Sequence, residues 1–151
     1  MRERGSALML MPAAVLVMMV LGAIAVDSAR LLLAQRELAD AAAAAANDAA
    51  AASLSDAAFY RSGGRLEIDA THAARTVDAA VQARAPQGLT VDRPAVTVVG
   101  RQVCVELQAT VEPLFARVVP GAGGPRTVRA RATATAVGGA EGVTVPIRGL
   151  C

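Results

Sequence analysis

"AIAVDSAR", residues 23–30, closes a long apolar run, and its reading decides the fold. Ala23 and Ala25 match the small-residue pattern of a secretory cleavage site, which would release everything from Val26 onward. In the other reading the same residues are the last membrane-buried turn of a helix that simply continues. Residues 7–26 carry no charge, and at about 1.5 Å per residue such a run spans the roughly 30 Å hydrocarbon layer. A signal peptide has a shorter apolar core, of about 7 to 15 residues. Downstream, residues 27–53 contain neither Gly nor Pro, and "LLLAQRELADAAAAAANDAAAAS" is built from the strongest helix formers. Continuity is therefore expected, with a secreted small binding domain released after Ala25 as the alternative.

Arg2 and Arg4 precede the run, so the positive-inside rule leaves residues 1–6 in the cytoplasm. The membrane helix is then 7–26, an Ala-rich helical extension occupies 27–60, and a small α+β domain occupies 61–151. Pro12 is tolerated near a helix start, where its missing amide costs little, and bends the helix otherwise. At 100° per residue, Leu31, Leu38, Ala42, Ala45, Ala49 and Ala52 share one face, opposite Arg36, Asp40 and Asn47. Small side chains let another backbone approach closely. That backbone belongs either to the chain's own sheet or to another subunit.

Beyond "YRSGGR", where Gly63 and Gly64 permit a reversal, Asp69 is placed to cap a second helix over residues 70–83. Ala73, Val77, Ala80 and Val81 form its apolar stripe, and "APQG" ends it. From Leu89 the period becomes two. Gly100 suits the first central position of a two-residue hairpin turn after Val99. The returning strand sets Val103, Val105, Leu107, Ala109 and Val111 on one face and Cys104, Glu106, Gln108 and Thr110 on the other. Pro113 interrupts it, "LFARVV" is a short apolar connection with helical character, and "PGAGGP" is a loose loop. A further strand is expected at 126–137, facing in through Val128, Ala130, Ala132, Ala134 and Ala136, and a last one at 143–147. The expected class is α+β: a long N-terminal membrane helix, a short second helix and an antiparallel sheet of about four strands.

The 151 residues include two Phe, one Tyr and no Trp, so a core of Ala and Val must serve, and it buries little area per residue. Cys104 and Cys151 are too far apart for a redox or zinc pair. Outside the cytoplasm a bridge between them is permitted. It closes a loop of about 48 residues and would stabilise by roughly 4 kcal/mol in the chain-entropy model. Two unrelated thiols are the other reading, and spacing does not choose between them.

The net charge is +2, carried by arginines spread along the chain with no aromatic platform, which argues against nucleic-acid binding. Phosphate-cradling glycine loops and nucleophile elbows are absent from the sequence. His72 lacks a second His or a nearby Cys and reads as a solvated helix residue, so no metal, cofactor or small-molecule substrate is expected. No carboxylate pair stands out for acid–base work, and an enzyme is not expected.

These residues resemble the N-terminal segment of TadE/TadG-like proteins of tight-adherence (Flp) pilus systems. The likeness rests on Arg4-Gly5-Ser6, the apolar span, Val26-Asp27-x-x-Arg30, and Leu38-Ala39-Asp40 leading into alanines, about the first third of the chain. It implies a membrane-anchored pseudopilin or assembly factor in the cytoplasmic membrane, whose exported domain contacts other pilus or secretion-system subunits. It also implies prepilin-type processing between Gly5 and Ser6. Leu10 stands at the fifth position of that product, where pilin-like chains carry Glu, which points toward permanent TadG-like anchoring.

Overall fold

A computed structural model describes residues 6–54, 59–60, 63, 67–84, 89–118, 123–136 and 151. The protein is α+β: one long apolar helix, a second helix and a four-stranded antiparallel sheet. Helix α1 runs without interruption over Ser6–Ala52, 47 residues, so the chain does pass through residues 23–30 as helix. Pro12 lies inside it, in the second turn, where the carbonyl of Leu8 loses its usual donor. α1 itself ends at Ala52, short of residue 60, although Phe59 and Tyr60 are again helical. Ser53 is still bonded back to the Ala49 carbonyl (3.1 Å), but its own carbonyl accepts from the Asp69 amide (2.9 Å), and Leu54 pairs with Ile68 in an isolated antiparallel bridge. The strand-like partner thus takes over the backbone groups that a further helical turn would have used.

Helix α2 spans Ala70–Ala83. Its start is fixed by Asp69, whose Oδ1 accepts from the Thr71 amide (2.8 Å) and the His72 amide (2.9 Å). Ala73, Val77 and Val81 are buried and Ala80 is half-buried, which is the stripe the sequence presents. The His72 amide bond lowers the Asp69 pKa; it outweighs desolvation with help from the Thr71 amide and the charges on His72 and Arg75. A depressed carboxylate contributes stability that is complete above the unfolded-state value and vanishes as pH falls through the folded one. Melting temperature should therefore fall on acidification below the ordinary Asp value of about 3.9. Asp69→Asn, which keeps a cap oxygen but cannot titrate, should flatten that slope; an unchanged slope would contradict the assignment.

The sheet comprises β1 (Thr90–Val91), β2 (Ala95–Val99), β3 (Gln102–Val111) and β4 (Arg126–Thr135). Central β3 pairs along its whole length with β4, from Gln102↔Thr135 to Val111↔Arg126. Its other edge is shared. Thr90 and Val91 face Thr110 and Ala109, while Ala95 to Val99 face Glu106 to Gln102. Three residues, Asp92, Arg93 and Pro94, oppose two, Leu107 and Gln108, so β1 and β2 are one edge strand broken by a bulge. Pro94 has no amide for the ladder, whereas Asp92 N–H still donates to the Gln108 carbonyl at 2.8 Å. The β2–β3 turn is Gly100-Arg101, with Gly100 at φ +59° and Arg101 not positive, the pattern of a type II′ hairpin. The strand expected at 143–147 lies outside the described residues; β1 is the fourth strand. β4 ends at Thr135 rather than 137.

Both helices cover one face of the sheet, α1 over β3 and β4, and α2 over β2 and against α1. The core is almost wholly Ala and Val, with Leu38 and Leu107 its largest fully buried side chains. Leu38, Ala42, Ala45 and Ala49 are buried on α1 as expected and Leu31 packs half-buried against them, but Ala52 is exposed. Ala34, Ala41, Ala46 and Ala50 are buried in addition. α1 packs against β3, β4 and α2 at once, so its buried strip is wider than one helical face; Arg84 of the α2 C-cap pairs with Asp48 at 2.6 Å, beside the last turns of α1. Ala52 shares its angular position with Ala34, about five turns earlier, and by the last turn that strip has moved away.

Candidate functional site

Two features outside the core concentrate interactions: the end of the apolar half of α1, and the outer face of the sheet.

α1 changes character at residue 27. Every residue of 11–26 is exposed except Ala23, which is half-covered; core burial begins at Ala34. This half of α1 is the one stretch among the described residues long and apolar enough to cross a membrane. At the division sits Asp27. Its Oδ1 accepts from the Leu114 amide (2.9 Å), its Oδ2 from the Ala116 amide (2.9 Å), and the Phe115 N–H lies between them, 3.3 and 3.2 Å away. Three consecutive amides pointing at one carboxylate form an anion-holding nest, here opening the 3₁₀ turn Ala116–Val118. Desolvation raises the Asp27 pKa, but the amides of Ala116, Leu114 and Phe115 together with Arg30 outweigh it and hold the carboxyl below its ordinary value.

The turn is braced from its other side. A Cβ on Gly123 would come within 2.8 Å of the Arg117 Cα and 3.0 Å of the Ala116 carbonyl oxygen, so only glycine allows this approach. Glu112 and Arg117, both exposed, form an ion pair across the turn. Asp27→Ala should remove the acceptor, and Gly123→Ala should push the turn off it. Both are expected to raise amide hydrogen exchange at Leu114, Phe115 and Ala116 above the parent chain while leaving β3 protected. Unchanged exchange in Asp27→Ala would show that the carboxylate does not hold the turn.

On the outer sheet face, Thr97, Cys104 and Thr133 stand in one row, and Arg131 reaches Glu106 (3.1 Å) as Arg129 reaches Gln108 (3.1 Å). These exposed cross-strand pairs contribute little each. Cys104 is bonded to Cys151, with Cα atoms 5.8 Å apart, and the Thr133 hydroxyl lies 3.3 Å from the Cys151 sulfur. The disulfide pins Cys151 on this face, and Cys104 is buried where its neighbours Glu106 and Gln108 are half-exposed.

Of the residues singled out in the sequence, Cys104 and Cys151 come together. Leu31, Leu38, Ala42, Ala45 and Ala49 are occupied by the chain's own sheet and second helix, so their face is not offered to another subunit. Ser6 is the first residue of α1 and Leu10 lies within it, while Gly5 falls outside the described residues. His72 is exposed, and no group of three potential metal ligands occurs among the described residues. The residue that the apolar run did not announce as a contact is Asp27, bonded to a turn 87 to 89 positions away. Its position immediately after the apolar run was the available signal.

Compared with models of protein families, with curated proteins and with solved structures, the chain matches none.

Proposed function

We propose that this chain is a single-pass membrane protein of TadE/TadG type that serves assembly of a tight-adherence pilus, or a related export apparatus, through protein contacts. In this reading residues 7–26 span the cytoplasmic membrane, Arg2 and Arg4 stay in the cytoplasm, and the α+β domain lies outside. Neither catalysis nor a cofactor is part of it.

One observation carries the reading: α1 is a single helix whose uncharged run up to Val26 is bare, while beyond Asp27 it becomes charged and, from Ala34, packs into the domain. An apolar surface of that extent does not stay in water, and a rigid continuation fixes the domain at the membrane surface instead of releasing it. The Val26-Asp27-x-x-Arg30 stretch that contributes to the resemblance supports it further, since Asp27 is the joint between helix and domain. For partners, the edge of β4 away from β3 has no paired strand among the described residues and suits strand addition.

Fractionation tests the anchor. Full-length chain should stay with membranes through a high-salt wash, and recovery in the soluble extract would count against it. Exported material beginning at Val26 would establish the secreted alternative. Deletion of the gene in a piliated host should abolish surface pili, and unchanged piliation would remove the assembly role.

A further inference from the structure

Asp27 also fixes where the turn after β3 sits along α1. In a helix the Cα–Cβ bond tilts toward the N-terminus, so a side chain lies over the turn preceding its own Cα. For Asp27 that turn is residues 23–26, the last of the apolar run. The amides of Leu114, Phe115 and Ala116 reach its carboxylate at 2.9 to 3.3 Å, which sets the backbone of this turn beside the apolar half of α1. Ala23, four residues before Asp27 and on the same side, is the half-covered residue of 11–26.

The side chains at this point are Leu114 and Phe115, 51% and 48% exposed, and neither joins the core. Two consecutive large apolar residues are thus held out at the depth where α1 itself enters hydrocarbon. Glu112 and Arg117 flank them along the chain and pair with each other, and Arg30 follows Asp27 on α1; all three are exposed, and the arginines suit the headgroup layer. Pro113 and the close approach of Gly123 keep the turn rigid, so little ordering is needed on contact.

Resting on the membrane-spanning reading of α1, we infer that Leu114 and Phe115 form a second contact with the same bilayer, entering the headgroup–acyl boundary of the leaflet on the domain's side. Lipid is the occupant because the Asp27 latch places these side chains at the membrane surface regardless of any partner. A helix alone lets a domain swivel about its axis. A second point of insertion off that axis removes this freedom and holds the sheet in one orientation to the membrane.

The chain contains no tryptophan, so Phe115→Trp introduces a single tryptophan, excited selectively over Tyr60, without touching the amides that bind Asp27. Full-length protein would be reconstituted into phosphatidylcholine/phosphatidylglycerol vesicles carrying brominated acyl chains. Leu114→Trp serves as a second reporter, and Tyr60→Trp, at an 83% exposed position, as the solvent control. Expected is blue-shifted emission and loss of intensity to bromine at positions 115 and 114, with neither at 60. Emission at 115 and 114 that matches the solvent control, in protein resisting carbonate extraction, would overturn this inference while leaving the anchor intact. Release of the protein by carbonate would overturn the anchor, and this inference with it.

Discussion

Cys151→Ser is expected to destabilise the domain by about 4 kcal/mol, the chain-entropy value for opening a loop of this size. Melting temperature should fall by roughly 10–20 °C. The effect is large because the core has so little else. Its buried side chains are mostly Ala and Val, and each Ala removes far less area from water than a Leu or Phe would. The bridge also fastens Cys151 near the start of β3 at Cys104, opposite Thr133 of β4. Cys104→Ser should cost about as much as Cys151→Ser, and the double variant no more than either, because one bond is lost in all three. Reductant should shift parent melting to the variants' value and leave theirs unchanged. Identical melting of parent and Cys151→Ser would refute a stabilising bridge.

Leu38→Ala and Leu107→Ala carry the second large effect, each expected to cost about 2–5 kcal/mol from lost transfer energy plus the cavity left behind. Both are fully buried, one on α1 and one on β3, and they are the two largest such side chains among the described residues. Neighbours of Ala and Val have short side chains that cannot swing in to fill a cavity, which places the cost toward the upper part of the range. Leu32→Ala, at an exposed position of the same helix, should stay within about 0.5 kcal/mol of the parent. Chemical denaturation of the full chain in detergent micelles measures all three. Equal effects at positions 38 and 32 would mean that α1 is not seated on the sheet as described.

The elements that were legible in the sequence are those whose signals are local. Asp69 ahead of an i, i+4 stripe marks α2 to the residue, because capping and amphipathicity involve neighbours along the chain. Gly100 marks the hairpin, and alternation from Val103 to Val111 marks β3, for the same reason. What was not legible depends on distant contacts. The extra buried alanines at 34, 41, 46 and 50 reflect α1 packing against β3, β4 and α2 together, which no helical wheel of α1 alone contains. β1 is two residues long and set off by a bulge at Pro94, so the alternation that begins at Leu89 does not mark it as a segment distinct from β2. Gly123 sits in what reads as a loose loop, yet it is needed for close approach to Arg117. Asp27 was visible as the polar end of an apolar run; the turn that it holds is separated from it by most of the chain.

In the proposed arrangement a single helix enters the membrane before Asp27 and carries the domain on the far side. The chain contains no lysine, and no arginine occurs between Arg4 and Arg30, so an arginine-specific protease cannot cut the proposed span. Applied to spheroplasts until digestion is complete, it should consume the domain and leave in the membrane a peptide that contains residues 5–30. A domain that remains protected until the membrane is opened, or mature protein that lacks residues 7–25 altogether, would contradict this arrangement.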